Sequence, residues 1–311
     1  MLFCLPTQLL GSSHGTPTEA AAWTSFSVKH VYGLPSAKAK DKGALSLNRT
    51  ALNFAGKMSA ATIPVASILA VSLGSERVEL WGLKGRLLRM AIPNGGGLVA
   101  AAVMHHKVGM LTVEFNDGNG AYHSAVFVLP AREAADAVQS LAAMLGKHRE
   151  RGDSSCTAGR EEPGSVRVGV PTSDQLDVPT AYRGLVYERL IDRLHRSKGI
   201  RRVYRDGEMN DRNECPQYSI ELSIVRFRLG SQVKRAMMGP VGMFVGTTQL
   251  TFALKVTDAG GESAYHAQVK ATLRGESESI NVTEAVAKKL AKQFNDVRNR
   301  MPKSTPAAPR R

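Results

Sequence analysis

Apolar and polar residues alternate through much of residues 26–148, which is the pattern of strands that bury one face and expose the other. The alternation is clear at 45–47 and again at 111–115. A loop rich in Asn, Asp and Gly at 116–120 separates the second run from an apolar run at 125–129. These two runs therefore predict an antiparallel hairpin.

Shorter apolar runs at 52–54, 68–71 and 78–81 predict further strands, with a turn at Gly74-Ser75 between the last two. Pro130 is expected to end the last strand and to start a helix. The helix is predicted because apolar residues recur there at spacings of four and three, namely Ala134, Val138, Leu141 and Leu145. This half thus consists of many strands and one closing helix.

A second pattern begins near residue 165. The run at 166–170 predicts a strand, and a helix is predicted from about Thr180, with a short strand at 200–204 after it. The apolar face of that helix is expected to consist of Tyr187, Leu190, Ile191 and Leu194.

The rest of this half predicts a long meander and a final helix. A slip in the alternation predicts a bulge near Val225-Arg226, and regular alternation at 250–257 and 265–273 predicts a hairpin. The final helix is expected to start at Asn281, whose side chain would cap it while Glu284 reaches back. Its buried stripe is predicted to be Val286, Leu290, Phe294 and Val297.

Both halves therefore belong to the α+β class. The first half predicts a small antiparallel β barrel or sandwich with a C-terminal helix. The second half predicts an antiparallel sheet with two helices on one face, because its order is strand, helix, strand, meander and helix.

The element order of the first half, the Trp81-Gly82 strand end and the helix after Leu129-Pro130 resemble the pleckstrin-homology-like domains, including their bacterial GRAM-type relatives. The resemblance covers roughly residues 26–148. Many such domains are binding platforms, and some bind phosphoinositides. The resemblance therefore implies a binding role for this half.

The second half carries the segment Gly230-Ser231-Gln232-Val233-Lys234-Arg235, a Gly-rich segment at 239–246, and a strand at 250–258 with a Gly260-Gly261 turn. These segments resemble an uncharacterised family of α+β modules in bacterial envelope lipoproteins, similar to curli-secretion and TolB-amino-terminal-like domains. The resemblance covers roughly residues 166–297. It implies an envelope location and no established enzymatic chemistry.

The chain divides into five predicted segments. Much charge and Gly without apolar periodicity marks a linker, so we expect the flanking halves to fold independently. No apolar run reaches the roughly 18 residues that a membrane-spanning helix needs. The segments are a signal-like or disordered N-terminus at 1–25, a PH-like domain at 26–148, a charged linker at 149–164, an α+β domain at 165–299 and a disordered basic tail at 300–311.

The chain is basic, with 41 Lys and Arg against 27 Asp and Glu and a net charge of +14. Much of the excess falls at 193–212 and 288–311. Such clusters attract phosphate groups on lipids or nucleic acids, although a solvated helix face and a frayed tail are the simpler explanation. The candidate binding residues in these clusters are Arg201, Arg202, Lys288 and Lys292.

Two apolar segments are further candidates for contact with a membrane or a partner. The segment 98–104 follows three glycines and is too short to span a bilayer, but it could enter one leaflet. A short buried helix or hairpin is the alternative. The second segment lies in the Gly-rich loop at 239–246, for which a flexible connection between strands is the alternative. The candidate residues are Leu98, Val99, Met104, Lys107, Met243 and Phe244.

Catalytic and metal-binding motifs are missing from the sequence, including a phosphate-binding loop, a His-Glu-x-x-His helix and a Gly-x-Ser-x-Gly elbow. His105-His106 would point to opposite faces of a strand, so both could not easily bind one metal. His123 is predicted to be half-buried and hydrogen-bonded. We therefore predict no enzymatic activity, no cofactor and no intrinsic metal.

The N-terminus and the three cysteines bear on location. The apolar residues of 1–10 resemble the end of a secretory signal, but 6–8 interrupt them and no basic residue precedes Lys29. Export and an unprocessed cytoplasmic N-terminus both remain open. After export, Cys156 and Cys215 could pair in an oxidising compartment, and free thiols are the alternative.

We expect a non-catalytic protein of the bacterial cell envelope that binds a partner protein or an anionic membrane surface. It would lie on the periplasmic side if the signal-like N-terminus is functional, and in the cytoplasm otherwise. The alternatives are a basic cytoplasmic nucleic-acid-binding protein and a hydrolase with a dispersed site. Nucleic acid is the less favoured partner, because aromatic residues do not interleave with the basic clusters.

Overall fold

The computed structural model describes residues 22–79, 105–145, 160–173, 178–208, 214–228, 247–259, 261, 264–273 and 279–301. In this part of the chain two β-sheets and three α-helices form a mixed α+β protein, as the sequence predicts. None of the described helices is both long and apolar enough to cross a bilayer.

The described residues of the first half form seven strands and one helix. They are β1 Trp23–Tyr32, β2 Lys42–Leu47, β3 Ala51–Gly56, β4 Ala60–Pro64, β5 Ile68–Glu79, β6 His105–Asn116, β7 Tyr122–Pro130 and α1 Ala131–Met144, with a short 3-10 turn at Val65–Ser67. The strands form one sheet in the order β4-β3-β2-β1-β7-β6-β5, and every neighbouring pair is antiparallel.

The expected barrel does not close among the described strands, because β4 and β5 are both edge strands. β4 is five residues long and ends in Pro64, which has no N–H to donate to a further strand. The hairpin of β6 and β7 and the helix after Pro130 are confirmed. Helix α1 buries Ala134, Ala137 and Leu141 against the inner face of the sheet.

The predicted turn at Gly74-Ser75 is wrong. Strand β5 runs without interruption from Ile68 to Glu79, and Gly74 pairs with Met110 of β6. A Cβ atom at Gly74 would lie 3.3 Å from the Cε of Met110. The glycine thus makes room for a neighbouring side chain within the sheet, where the sequence suggested a change of direction.

In the second half, the residues that the structure describes form five strands and two helices. They are β8 Arg160–Val168, α2 Thr180–His195, β9 Arg202–Tyr204, β10 Glu214–Arg228, β11 Thr248–Asp258, β12 Ala264–Leu273 and α3 Val282–Arg298, with a 3-10 turn at Ser279–Asn281. The strand order is β12-β11-β10-β8-β9. Strand β8 begins at Arg160, inside the segment predicted as a linker.

This second sheet is mixed, so the prediction of an antiparallel sheet holds for two of its four strand pairs and is wrong for the other two. β8 runs parallel to both β9 and β10, whereas β11 is antiparallel to β10 and to β12. The connection from β8 to β9 passes through α2. A helical crossover returns the chain to the same end of the sheet, which makes the next strand parallel.

The predicted details of the meander are confirmed. The pairing of β10 with β11 shifts register between Ile224 and Arg226, and the intervening Val225 is 44% exposed. β11 and β12 then pair in continuous register, with Val256 opposite Tyr265. The phase slip in the sequence therefore marks a real bulge.

Helix α3 buries the predicted stripe, but its N-terminus differs from the prediction. Asn281 has helical backbone angles and makes no side-chain capping bond, whereas a capping residue normally has extended angles. The Thr283 hydroxyl donates to the Ile280 carbonyl instead, at 2.6 Å. Glu284 does not reach back, and its carboxylate lies 3.4 Å from the guanidinium of Arg193.

Helix α2 lies between the two sheets and is buried on both sides. Eleven of its 16 residues are buried. The sequence predicts one buried face for this helix, so it predicts too few of its buried residues. On one side it packs on β6 and β7, and on the other it packs on α3. Residues of the first half, including Val31, Met110, Tyr122 and Val126, therefore share one hydrophobic core with the second half.

Candidate binding site

Two loops of the first half meet beyond the end of β1. The loop 33–41 connects β1 to β2, and the turn 57–59 connects β3 to β4. The N–H of Lys57 donates to the carbonyl of Lys42 at 3.0 Å, and the N–H of Lys38 donates to the Ser59 hydroxyl at 3.1 Å. These bonds hold the two loops side by side.

Asp41 is the buried residue that fixes this arrangement. Its carboxylate accepts hydrogen bonds from the N–H of Met58 at 3.1 Å and from the Ser59 hydroxyl at 2.8 Å. It also accepts one from the N–H of Lys42 at 2.9 Å. Burial works against ionisation of the carboxyl group, but these donors favour the charged form and lower the pKa of Asp41. The loops are thus held by a carboxylate that is ionised at neutral pH.

The side chains around this carboxylate are basic and exposed. Met58 at the tip of the turn is 64% exposed, and Lys57, next to it in the sequence, is also exposed. Three further exposed lysines lie within three residues of Asp41, namely Lys38 and Lys40 in the loop 33–41 and Lys42 at the start of β2. None of these lysines forms an ion pair with a residue that the structure describes. We call the group the lysine rim; it consists of Lys38, Lys40, Lys42, Lys57 and Met58.

The lysine rim continues into an open cleft of about 610 Å³. A register shift in β1 between Ser25 and Val28 leaves Phe26 82% exposed at the edge of this cleft. We call it the Phe26 cleft. Its lining combines apolar and basic residues, including Phe26, Lys29, Lys42, Lys57, Val108 and Pro130. The rim and the cleft share two lysines, so they form one basic surface with exposed apolar groups.

A different polar cluster lies where α2 meets the first sheet. Glu188 of α2 is 3% exposed and pairs with Arg205 at 3.0 and 2.8 Å. It also accepts the N–H of Ser124 in β7 at 2.9 Å. His123 lies beside this pair, with Nδ1 3.8 Å from the Glu188 carboxylate and Nε2 3.4 Å from Asp117.

The groups of this cluster bond mainly to one another, and His123 stays neutral among them. Burial is the main cause that lowers the pKa of His123, and the positive charge of Arg205 adds to it. The carboxylates of Glu188 and Asp117 act in the opposite direction but do not outweigh burial. His123 is more buried than predicted, at 4% exposure, and its hydrogen-bonded state is confirmed.

The structure describes only some of the residues that the sequence proposed for binding. Lys107 lies in β6 next to Val108, which lines the Phe26 cleft. Arg202 in β9 places its guanidinium 4.2 Å from the centre of the Tyr204 ring and 3.4 Å from Glu208. The candidates outside the described residues are Leu98, Val99, Met104, Met243 and Phe244.

The remaining candidates lie on the surface of the second half. Arg201 is exposed just before β9, and Lys288 and Lys292 are exposed on α3, opposite its buried stripe. The structure brings none of these three residues into the lysine rim. They belong to another surface of the molecule.

The lysine rim is not among the binding residues that the sequence predicts, although the sequence contains one signal for it. Lys38, Lys40 and Lys42 alternate with other residues in a short run, and a charge run of this kind in a loop indicates an exposed basic surface. The positions of Lys57 and Met58 depend on the pairing of β2 with β3. That pairing could not be read from their local sequence.

In the described part of the chain, no group of three or more His, Cys, Asp or Glu side chains is placed to share a metal ion. No protein-family model matches the chain. No curated protein matches it either.

Several solved structures are similar to part of the chain. The PelC dodecamer of Paraburkholderia phytofirmans is 14% identical over 43% of this chain and 92% of its own, with a TM-score of 0.26. A hypothetical protein of Chlamydia trachomatis is 9% identical over 44% and 95%, with a TM-score of 0.31. A lipoprotein of Neisseria meningitidis is 10% identical over 44% and 99%, with a TM-score of 0.20. At these values the similarities assign neither a family nor a function to this chain.

Proposed function

We propose that this chain is a non-catalytic protein of the cell envelope that binds an anionic membrane surface through its lysine rim. The observation that carries the proposal is the exposed Met58 at the tip of a hairpin, together with four exposed lysines in the two adjoining loops and at the start of β2. Phe26 exposes a second large apolar side chain beside two of these lysines.

This arrangement suits the boundary between lipid headgroups and acyl chains. Each basic residue near an anionic bilayer contributes about 1 kcal/mol to binding, and salt weakens the attraction. An exposed methionine or phenylalanine gains further free energy when it leaves water for the interface. The bonds to Asp41 hold the two loops in place before binding, so less conformational entropy is lost on contact.

Three further observations support the proposal. The seven-strand order and the helix after β7 are compatible with a PH-like binding domain in the first half. Cys215 is disulfide-bonded, and disulfides persist in oxidising compartments such as the periplasm. The absence of catalytic motifs in the sequence favours a binding role over an enzymatic one.

The test is co-sedimentation of the full chain with vesicles of phosphatidylcholine alone and of equimolar phosphatidylcholine and phosphatidylglycerol. We expect binding only to the anionic vesicles, and weaker binding at high salt. The double variant Lys38→Ala/Lys57→Ala should bind these vesicles about ten- to thirtyfold more weakly, because it loses two charges from the rim.

The matched control removes two exposed charges from other parts of the first half. Arg49 lies in the turn between β2 and β3, at the opposite end of these strands from the rim, and Arg132 lies on α1. The variant Arg49→Ala/Arg132→Ala should bind almost as well as the wild type. Equal losses of vesicle binding in both double variants would show that binding depends only on net charge. That result would exclude the rim as the binding site.

A further inference from the structure

The two basic clusters of the second half, which are far apart in the sequence, lie together in the fold. The side-chain amide of Asn295 in α3 donates to the Ser197 hydroxyl at 3.2 Å, just beyond the end of α2. The guanidinium of Arg298 donates to the carbonyl of Lys198 at 2.8 Å. The C-terminal ends of the two helices therefore form one surface.

This surface, which we call the basic patch, consists of Arg196, Lys198, Arg201, Arg298 and Arg300. Lys198, Arg201 and Arg300 are exposed, and none of the three forms an ion pair with a described residue. The Arg196 side chain is 71% exposed. The last turns of the two helices contain two acidic residues, Asp192 and Asp296, so the patch keeps an excess of positive charge.

The basic patch and the lysine rim lie near the same end of β1. In the first half, the N–H of Lys40 donates to the carbonyl of His30 at 2.8 Å. Tyr32 lies two residues beyond His30 along β1, which is about 7 Å in a strand. The Tyr32 hydroxyl donates to the carboxylate of Asp192 in α2. Asp192 in turn lies 3.8 Å from the guanidinium of Arg196.

The connection between the two surfaces is held by bonds that persist at neutral pH. Burial and the hydrogen bond to Asp192 raise the pKa of Tyr32 to about 12, so its hydroxyl keeps the proton that it donates. Arg189, one turn before Asp192, is buried, and it donates to the Thr283 hydroxyl at 2.6 Å. The end of α2 is therefore fastened to β1 on one side and to α3 on the other.

We propose that the basic patch is a second contact with the same anionic bilayer that the lysine rim binds, so that the protein lies on the membrane with both halves. This inference rests on the proposed function. Because the two surfaces are joined through β1 and α2, attachment of one brings the other to the bilayer, and the second contact forms at a high effective concentration. The partner is a lipid surface, since it can meet both basic surfaces at once.

The test uses the full chain and the same equimolar anionic vesicles. The triple variant Lys198→Ala/Arg201→Ala/Arg300→Ala removes three exposed charges from the patch and leaves the Arg298 bond in place. We expect it to bind at least tenfold more weakly, since each charge that reaches the surface is worth about fivefold in affinity. Its binding should also depend less on salt than that of the wild type.

The matched control removes three other exposed charges of the second half, Arg226, Arg228 and Lys270, by substitution with Ala. It should bind within about threefold of the wild type. Unchanged urea-unfolding midpoints for both triple variants would show that any loss does not come from unfolding.

The possible outcomes separate this inference from the proposed function. If the rim variant loses binding and the patch variant binds like the wild type, the patch is not a contact and the proposed function stands. If the wild type does not bind anionic vesicles at all, both fail. If the patch variant keeps vesicle binding but loses binding to a DNA duplex, the patch recognises nucleic acid and the inference is wrong.

Discussion

The carboxylate of Glu188 and the guanidinium of Arg205 form a bidentate pair, with N–O distances of 3.0 and 2.8 Å, at the boundary between the two halves. Both residues belong to the second half, yet each also bonds to β7 of the first. Glu188 accepts the N–H of Ser124, and Arg205 donates to the carbonyl of Tyr122 at 3.0 Å. The pair therefore fastens α2 to the first sheet.

Removal of one partner from this pair should be costly. We expect Arg205→Met to lower the free energy of unfolding by about 3–5 kcal/mol, because it leaves the Glu188 carboxylate buried and without its charge partner. Urea unfolding followed by circular dichroism measures the change. Adding Glu188→Leu should restore part of the loss.

The control for this prediction is an exposed pair. Lys255 and Glu221 lie 3.1 Å apart on neighbouring strands, and both side chains are largely solvated. Lys255→Met should therefore change the free energy of unfolding by no more than about 1 kcal/mol. Similar losses for Arg205→Met and Lys255→Met would contradict the role given to the buried pair.

The close approach of α2 to β7 depends on a glycine. A Cβ atom at Gly184 would lie 2.0 Å from the Oγ and 2.7 Å from the Cβ of Ser124. Alanine favours a helix over glycine by about 1 kcal/mol, but this overlap should outweigh the gain. We expect Gly184→Ala to destabilise the protein by about 1–2 kcal/mol in urea unfolding.

Two variants sharpen this prediction. Ser124→Gly removes both overlapping atoms, so Gly184→Ala should become neutral or stabilising in that background. Gly118→Ala is the matched control, because nothing lies within 4 Å of a Cβ atom there. An identical effect of Gly184→Ala in both backgrounds would exclude the clash as its cause.

His123 should make the protein less stable in mild acid. Its pKa is lowered in the folded state, mainly by burial. As the pH falls below the ordinary histidine pKa of about 6.5, the unfolded chain binds a proton at this histidine and the folded chain does not. The free energy of unfolding therefore decreases. Between neutral pH and pH 5, we expect the free energy of unfolding to fall less steeply for His123→Phe than for the wild type. The two slopes should differ by up to about 1.4 kcal/mol per pH unit.

The comparison with the wild type isolates this histidine, because buried His30 also has a lowered pKa and remains in both proteins. Phe115 stacks on the His123 ring at 5.2 Å. Phe115→Leu is therefore the control, since it loosens the same contact without removing the titrating group. If it flattens the pH dependence as much as His123→Phe does, proton uptake by His123 is not the cause.

The disulfide of Cys215 can be tested by peptide mapping. Cys215 lies in β10 opposite Glu161 of β8, and the other two cysteines, Cys4 and Cys156, lie outside the described residues. The pairing of Cys156 with Cys215 stays a prediction. We expect protein exported to the periplasm to yield a Cys215 peptide joined to a second cysteine peptide when digested without reductant.

Reduction of this bond should lower the free energy of unfolding by about 2–4 kcal/mol. Cys215→Ser should show the same loss without reductant and no further loss with it. Complete alkylation of Cys215 in the unreduced, exported protein would contradict the disulfide.

The local pattern of residues was enough to place most strands and helices. Alternation located β11 and β12, and a phase slip located the bulge at Val225. The helical spacing of Val286, Leu290 and Phe294 gave the buried face of α3. These features can be predicted because each of these strands and helices buries one face. The residues of one buried face recur in the sequence with a fixed period.

Contacts between distant segments decided the rest. The spacing around Tyr187 indicated one apolar face, but α2 is buried on two sides because the first sheet also packs on it. The parallel pairing of β8 and the placement of Lys57 beside Lys42 depend on how the chain returns through space. Periodicity shows that a face is buried but not what covers it, so the junction of the two halves and both basic surfaces became visible only in the tertiary structure.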